Sequence, residues 1–227
     1  MFIRSAAAER RPISLPHLLL VEGSEDGRFY DQLCRFLEIN DRIEIRQVGG
    51  WTEFASQLKA VAALGTVVRT ISVIRDADSS PLGAFQSVCD AFARARLPVP
   101  STARAPTALD AEGRSTSVLI VPSAGPGSIE TVCWNTLAAL PFVRCVDPFL
   151  ACMDAAGGGA TLSTEAAQAK RRIWSLLAAG CVVPRPLNAG LRLGEAAEQG
   201  FWDWAHPAFA PIAEFLRQQV DGITPTR

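Results

Sequence analysis

Short continuous apolar runs alternate along this chain with segments whose apolar residues recur every three or four positions. His17-Leu-Leu-Leu-Val21 follows Pro16 and stops at Glu22-Gly23, which predicts a buried strand. Phe29, Tyr30, Leu33, Cys34, Phe36 and Leu37 then recur at helical spacing, with Ser24 at the N-cap position and Glu25 and Asp26 in a first turn that favours negative charge. The pattern repeats. Ile43 to Val48 predicts a strand, Gly49-Gly50 a break, and Phe54, Leu58, Val61 and Ala62 one helix face closed by Gly65. A third strand, Val67 to Ile74, runs into Arg75-Asp-Ala-Asp-Ser-Ser-Pro81, after which Phe85, Val88, Cys89 and Phe92 mark a third helix.

From Leu97 to Arg114 the residues are mostly Pro, Ala, Thr, Ser and Gly, which predicts a long surface loop or a poorly ordered hairpin. Val118 to Val121 resumes as a fourth buried strand. Beyond Pro122-Ser-Ala-Gly-Pro-Gly127 a helix opens at Ser128 with Ile129, Val132, Cys133 and Leu137 inward. The remainder reads as helical. Asp147-Pro148 has the form of an N-cap followed by proline at N1, Ser163 opens a helix through Trp174 to Gly180, and Phe209, Ile212, Phe215 and Leu216 give a last amphipathic helix.

Strand and helix alternating in this way predict an α/β fold, a mainly parallel, Rossmann-like sheet flanked by helices, with a mostly helical C-terminal part. The expected organisation is an N-terminal extension over 1–16, an α/β core over 17–125, and a helical part over 126–227 packed on that core. Ligands of such sheets collect at the carboxyl ends of the strands. Glu22 follows the first strand, and Asp76 and Asp78 follow the third.

Three carboxylates at the ends of two strands repel one another and raise each other's pKa unless positive charge lies between them. A hard dication, Mg²⁺ or Mn²⁺, is the natural answer, held by one or two carboxylates directly with waters and substrate phosphates completing its shell. The Asp76-Ala77-Asp78 spacing suits this if the stretch is extended, since alternate residues then point the same way. The plain alternative is that Asp76 begins a turn and Glu22 sits beside a helix N-terminus.

Composition narrows the function classes. Twenty-two basic against 23 acidic residues leave a net charge of −1, so a nucleic-acid partner must meet a local patch rather than a general positive field. The six cysteines, Cys34, Cys89, Cys133, Cys145, Cys152 and Cys181, form no C-x-x-C pair and lie far from a joint cluster with His17 or His206, which points to reduced structural thiols rather than zinc. No apolar run approaches the roughly 18 residues of a membrane span. The arginines at positions 4, 10 and 11 flank no hydrophobic targeting core. A cytoplasmic address is expected.

Leu18-Leu-Leu-Val-Glu-Gly-Ser-Glu-Asp26, with Ile71-Ser-Val-Ile-Arg-Asp-Ala-Asp78, resembles the Toprim domain, the fold shared by topoisomerases, bacterial primases, small maturation ribonucleases and OLD-type nucleases. It looks closest to small stand-alone bacterial members with an OLD-like core. The motif resemblance covers roughly 17 to 130, and Gly194 to Phe209 is similar to the C-terminal segment of that group. The resemblance implies that Glu22 acts in acid–base transfer or as a metal ligand, and that Asp76 and Asp78 bind Mg²⁺. It implies further that Glu130 serves a second metal and that Lys170 neutralises developing phosphate charge. Glu130 has a bland alternative as a first-turn helix acid, and Lys170 as part of a solvated basic face.

Among Toprim activities, strand passage needs a nucleophilic tyrosine, and the single tyrosine, Tyr30, sits on an apolar helix face. Priming needs a template-binding region, and no zinc cluster or basic domain supplies one. OLD nucleases work with an ATPase, yet no G-x-x-x-x-G-K-[ST] loop is present, so an ATPase partner would be a separate chain. What remains is metal-assisted phosphodiester cleavage of DNA or RNA. The alternatives are a non-catalytic metal-binding or regulatory subunit and, with less in its favour, a phosphoacceptor receiver domain, which lacks a use for the second aspartate.

Overall fold

The computed structural model describes residues 12–50, 54, 55, 58, 67–159, 162–180 and 188–221. Four strands, β1 (His17–Val21), β2 (Ile43–Gln47), β3 (Thr70–Asp76) and β4 (Ser115–Val121), form one sheet in the order β2-β1-β3-β4. Every pairing is parallel, with Leu19 opposite Ile45 and Ser72, and Asp76 opposite Val121. The chain winds outward in one direction from β1 and in the other from β3. Their carboxyl ends therefore flank the crevice in which α/β sheets bind ligands.

The apolar runs predicted as strands are buried on both faces. Leu18, Leu20, Ile71, Val73, Val118 and Ile120 face a core completed by Phe54, Leu58 and α2 (Pro81–Arg94). Leu19, Val21, Ile45, Ile74 and Leu119 face the opposite core, built with α1 (Ser24–Phe36), α3 (Ile129–Leu137), α5 (Glu165–Ala179) and α7 (Ala210–Asp221). Burial on two faces is why β1 and the later part of β4 read as continuous hydrophobic stretches, whereas the edge strand β2, Ile-Glu-Ile-Arg-Gln, alternates and gives only Ile43 and Ile45 to one core. The remaining helices are a 3₁₀ turn at Pro141–Cys145, α4 (Val146–Ala155), α6 (Leu193–Glu198) and a 3₁₀ turn at Pro207–Phe209.

Several boundaries differ from the expectation for identifiable reasons. β4 begins at Ser115, before its apolar run, because buried Ser117 bonds within the sheet's own polar cluster. There the Ser117 hydroxyl reaches Gln219 Oε1 at 2.7 Å and Ser72 Oγ at 3.1 Å, while Ser72 Oγ reaches the same Gln219 oxygen at 2.8 Å. α4 starts at Val146, so Asp147 and Pro148 lie inside the first turn instead of forming the cap. The segment 97–114 is not a loose hairpin. Arg104 N–H donates to Val118 O at 2.6 Å and Thr107 N–H to Thr116 O at 2.9 Å, so it runs along the free edge of β4 and covers it.

Cys34, Cys89 and Cys133 are buried thiols as expected, but Cys145 and Cys152 are exposed, and Cys181 lies outside the described residues. The N-terminal extension up to residue 11 and Val61, Ala62 and Gly65 of the second expected helix also lie outside them. Among the described residues no single helix is long and apolar enough to cross a membrane.

The C-terminal elements fix the position of α1. Phe29 packs edge-on against Trp204 at 5.0 Å between ring centroids and against Trp202 at 6.3 Å, with Phe209 at 5.9 Å. At the start of α6, Gly194 N–H donates to Glu25 Oε2 at 3.0 Å, and a Cβ on Gly194 would stand 2.7 Å from Glu25 O. Only glycine lets the two helices approach so closely.

Candidate functional site

At the carboxyl end of β3 the strand stops at Asp76, and the chain turns at once. Ala77 N–H still donates to Val121 O at 2.7 Å, but Asp78 adopts φ +49° and exchanges backbone hydrogen bonds with Gly127, each at 2.8 Å. Gly127 itself has φ +141°, and a Cβ there would lie 2.7 Å from Thr131 Oγ1. This two-sided bond pins the 122–127 loop against Asp78 and sets where α3 begins.

That placement aims the N-terminus of α3 at Asp76, whose Oδ1 accepts from Ile129 N–H at 2.9 Å. The free N–H groups and dipole of the helix end stabilise the carboxylate. Glu130, in the same first turn, is 6% exposed, and its Oε2 accepts from the Ser128 hydroxyl at 2.7 Å. From α5, Lys170 reaches in, with Nζ 3.6 Å from Asp76 Oδ2. From the first turn of α1, Asp26 folds back so that Oδ2 accepts from Gly23 N–H at 2.9 Å.

Electrostatics tie these groups into one cluster. Burial and then the neighbouring charges of Asp26 and Glu130 hold the Asp76 carboxyl well above the ordinary range, against the lowering pull of Lys170 and the Ile129 N–H. Asp26 is pushed up to about 6, first by burial and also by Glu130 and Glu22, although the Gly23 N–H and Lys170 favour its charge. Burial works against the Lys170 ammonium, but Glu130, Asp76, Asp26 and Asp78 together hold its pKa above the ordinary value. Three largely enclosed carboxylates, Asp26, Asp76 and Glu130, thus act on the Lys170 ammonium.

The structure brings Asp76, Glu130 and Lys170 together although they are separated by up to 94 positions in the sequence. Glu22 and Asp78 are exposed at the rim. Both act on Arg75, the residue before Asp76, whose pKa is lowered by burial against the raising influence of Asp78, Glu22 and Asp76. The extended stretch ends at Asp78, whose φ is left-handed at +49°, and the charges of Asp76 and Asp78 both act on Arg75 and on Lys170. The Lys170-Arg171-Arg172 run is not a solvated face. Arg171 pairs with Asp154 at 2.6 Å, and Arg172 pairs with Asp147 at 2.7 Å and lies 5.6 Å over the Trp134 ring.

Asp26 is the site residue that sequence reasoning passed over. It lies four residues after Glu22, in the very stretch that carries the resemblance, but an acid in a first helical turn needs no further explanation from sequence. Tyr30 is 2% exposed and its phenol is pushed up by burial and by Asp26 and Asp76, which leaves it no role as an external nucleophile.

The donor set of hard carboxylate oxygens at Asp26, Asp76 and Glu130 fits a Mg²⁺-type cation in chemistry. Among the described residues, however, no three His, Cys, Asp or Glu side chains stand close enough to ligate one ion together. Asp76 is drawn to the α3 N-terminus and Lys170, and Glu130 to Ser128. A cavity of about 640 Å³ between α4 and α5 includes none of these carboxylates in its walls, and its Arg171 and Arg172 are already paired with Asp154 and Asp147.

A family model described as "Protein of unknown function (DUF3226)" matches residues 16–221. No curated protein and no solved structure matches the chain.

Proposed function

The chain belongs to the DUF3226 family, and we propose that it is a Toprim-type, metal-dependent phosphodiesterase that cleaves nucleic acid at the carboxyl ends of β1 and β3. The observation that carries this reading is the meeting of Asp76, Glu130 and Asp26 with Lys170 at the crevice between the two strand ends. Buried acids such as Asp76 and Asp26, whose pKa values are raised by burial and by neighbouring carboxylates, are an arrangement costly for folding and useful for chemistry. A divalent cation bound there would polarise the phosphate and supply a water of lowered pKa.

The residues have distinct tasks in this scheme. Asp76 and Glu130 would hold the cation with support from Asp26 on α1, and Asp78 at the rim would serve a second ion. Lys170 exchanges its contact with Asp76 for a phosphate oxygen, so its charge meets the negative charge that grows in the transition state. Glu22, exposed at the mouth, is positioned to take or return a proton from solvent. An ATPase on a separate chain and a cytoplasmic setting are consistent with this reading.

A second reading, a regulatory subunit that keeps the architecture without turnover, draws support from one observation. Lys170 already compensates Asp76, and among the described residues no three-ligand set is preformed. Thermal melts with increasing Mg²⁺ or Mn²⁺ test the metal site itself. A ligand bound only by the folded state raises the midpoint in a saturable way. The proposal expects that rise in the wild type and its loss in Asp76→Asn; an equal response in both proteins would place any metal elsewhere.

A further inference from the structure

Trp174 is the one exposed tryptophan among the described residues, at 58%, whereas Trp202 is buried and Trp134 and Trp204 are partly covered. It lies four residues after Lys170 on α5, which puts the two side chains on the same helix face about 6 Å apart along the axis. Both line one open cavity of about 540 Å³, together with Leu162, Ala167, Ser175, Ala178 and Arg171, the last already paired with Asp154. The far end of Lys170 is the group that touches Asp76. A surface indole therefore stands one helical turn outside the carboxylate cluster, joined to it by a lysine that spans the gap.

The inward face of α5 is supplied by Ala169, Ile173, Leu176 and Leu177, so the Trp174 indole stands on the outer side of the helix beside Lys170. What suits an aromatic plane next to a phosphate-directed cation is an unpaired nucleobase. Every base offers a π face, and stacking on an aromatic side chain combines with backbone electrostatics in proteins that grip single strands. A base held in an intact duplex has both faces covered by its neighbours and offers Trp174 none.

We infer that Trp174 is a base-stacking subsite, and that the substrate of the proposed reaction is single-stranded nucleic acid whose base stacks on Trp174 while an adjoining phosphate meets Lys170. This rests on the phosphodiesterase reading for the role of Lys170. The sugar contacts neither group in this scheme, so DNA and RNA strands of equal sequence bind with similar affinity.

The test is equilibrium binding of a fluorescein-labelled 12-nucleotide single strand, as DNA and as RNA, and of the matching blunt duplex, to the full chain. Ca²⁺ replaces Mg²⁺ so that turnover does not intervene. Trp174→Ala should weaken single-strand binding by about 10-fold or more, within the range measured for loss of one base stack, and Trp174→Phe should restore most of it. Duplex binding should be weaker and indifferent to both changes. Equal single-strand affinity of wild type and Trp174→Ala, or no binding by the wild type, overturns the subsite. Mg²⁺-dependent cleavage lost in Asp76→Asn but unchanged in rate and KM by Trp174→Ala would overturn the subsite while leaving the phosphodiesterase reading intact.

Discussion

Replacing Asp26 with asparagine keeps an oxygen to accept the Gly23 N–H bond while removing a charge that the fold holds at a cost. The carboxyl rises from 3.8 to about 6 on folding, led by burial and reinforced by Glu130 and Glu22. Each pKa unit corresponds to 1.36 kcal/mol, so ionised Asp26 costs the folded state about 3 kcal/mol at most. Its partial exposure makes about 1–3 kcal/mol the working range. The sign follows from proton binding. The folded carboxyl holds its proton more tightly than the unfolded one, so this group's contribution to stability falls as pH rises from 3.8 to about 6 and is flat above. Asp26→Asn should therefore raise the thermal midpoint by about 3–10 °C at pH 7.5 without metal, given about 2–4 °C per kcal/mol for a chain of this size. At pH 4 the gain should nearly vanish. Paired calorimetric melts at both pH values, in EDTA, measure it, and a gain of equal size at pH 4, or a loss at pH 7.5, refutes the account of Asp26 as a strained member of the cluster.

Gln219→Leu should destabilise the chain by about 1–3 kcal/mol in urea melts, because the Ser72 and Ser117 hydroxyls would lose their shared buried acceptor; unchanged stability would mean that the two serines satisfy each other. Lys170→Met should lower single-turnover cleavage by roughly 10²-fold while metal affinity changes little, as expected for a cation that acts on transition-state charge; an effect on metal affinity alone would assign Lys170 to site assembly. Asp78→Asn should reduce cleavage and leave the circular dichroism melt within about 2 °C of wild type, since Asp78 is anchored by its backbone and not by its side chain; a cooperative loss of folding would show that the carboxylate is structural.

The sheet was legible because β1, β3 and β4 supply apolar side chains to cores on two faces, and Leu18 to Val21 and Val118 to Val121 had to be continuous apolar runs for that reason. The acids at strand ends were legible for the same reason: a polar residue that closes such a run lies where the crevice opens. The cluster's membership was not. Asp26 and Glu130 each look like an ordinary first-turn acid, and only the tertiary approach of α1 and α3 to one crevice turns both toward Asp76. The basic run on α5 carries no mark of its partners, because Asp76, Asp147 and Asp154 come from other elements. The left-handed turn at Asp78 was not legible either, since it depends on a pairing with Gly127, 49 residues later.

The most direct test of the central claim is a cleavage assay with purified protein on single- and double-stranded DNA and RNA, in Mg²⁺, in Mn²⁺ and in EDTA, with Asp76→Asn beside the wild type. A metal-dependent phosphodiesterase will cut in Mg²⁺ or Mn²⁺, stop in EDTA, and lose this cutting in Asp76→Asn, folded by its melting curve. Cutting at the wild-type rate by Asp76→Asn, or none by wild-type protein that binds the metal, would contradict that claim.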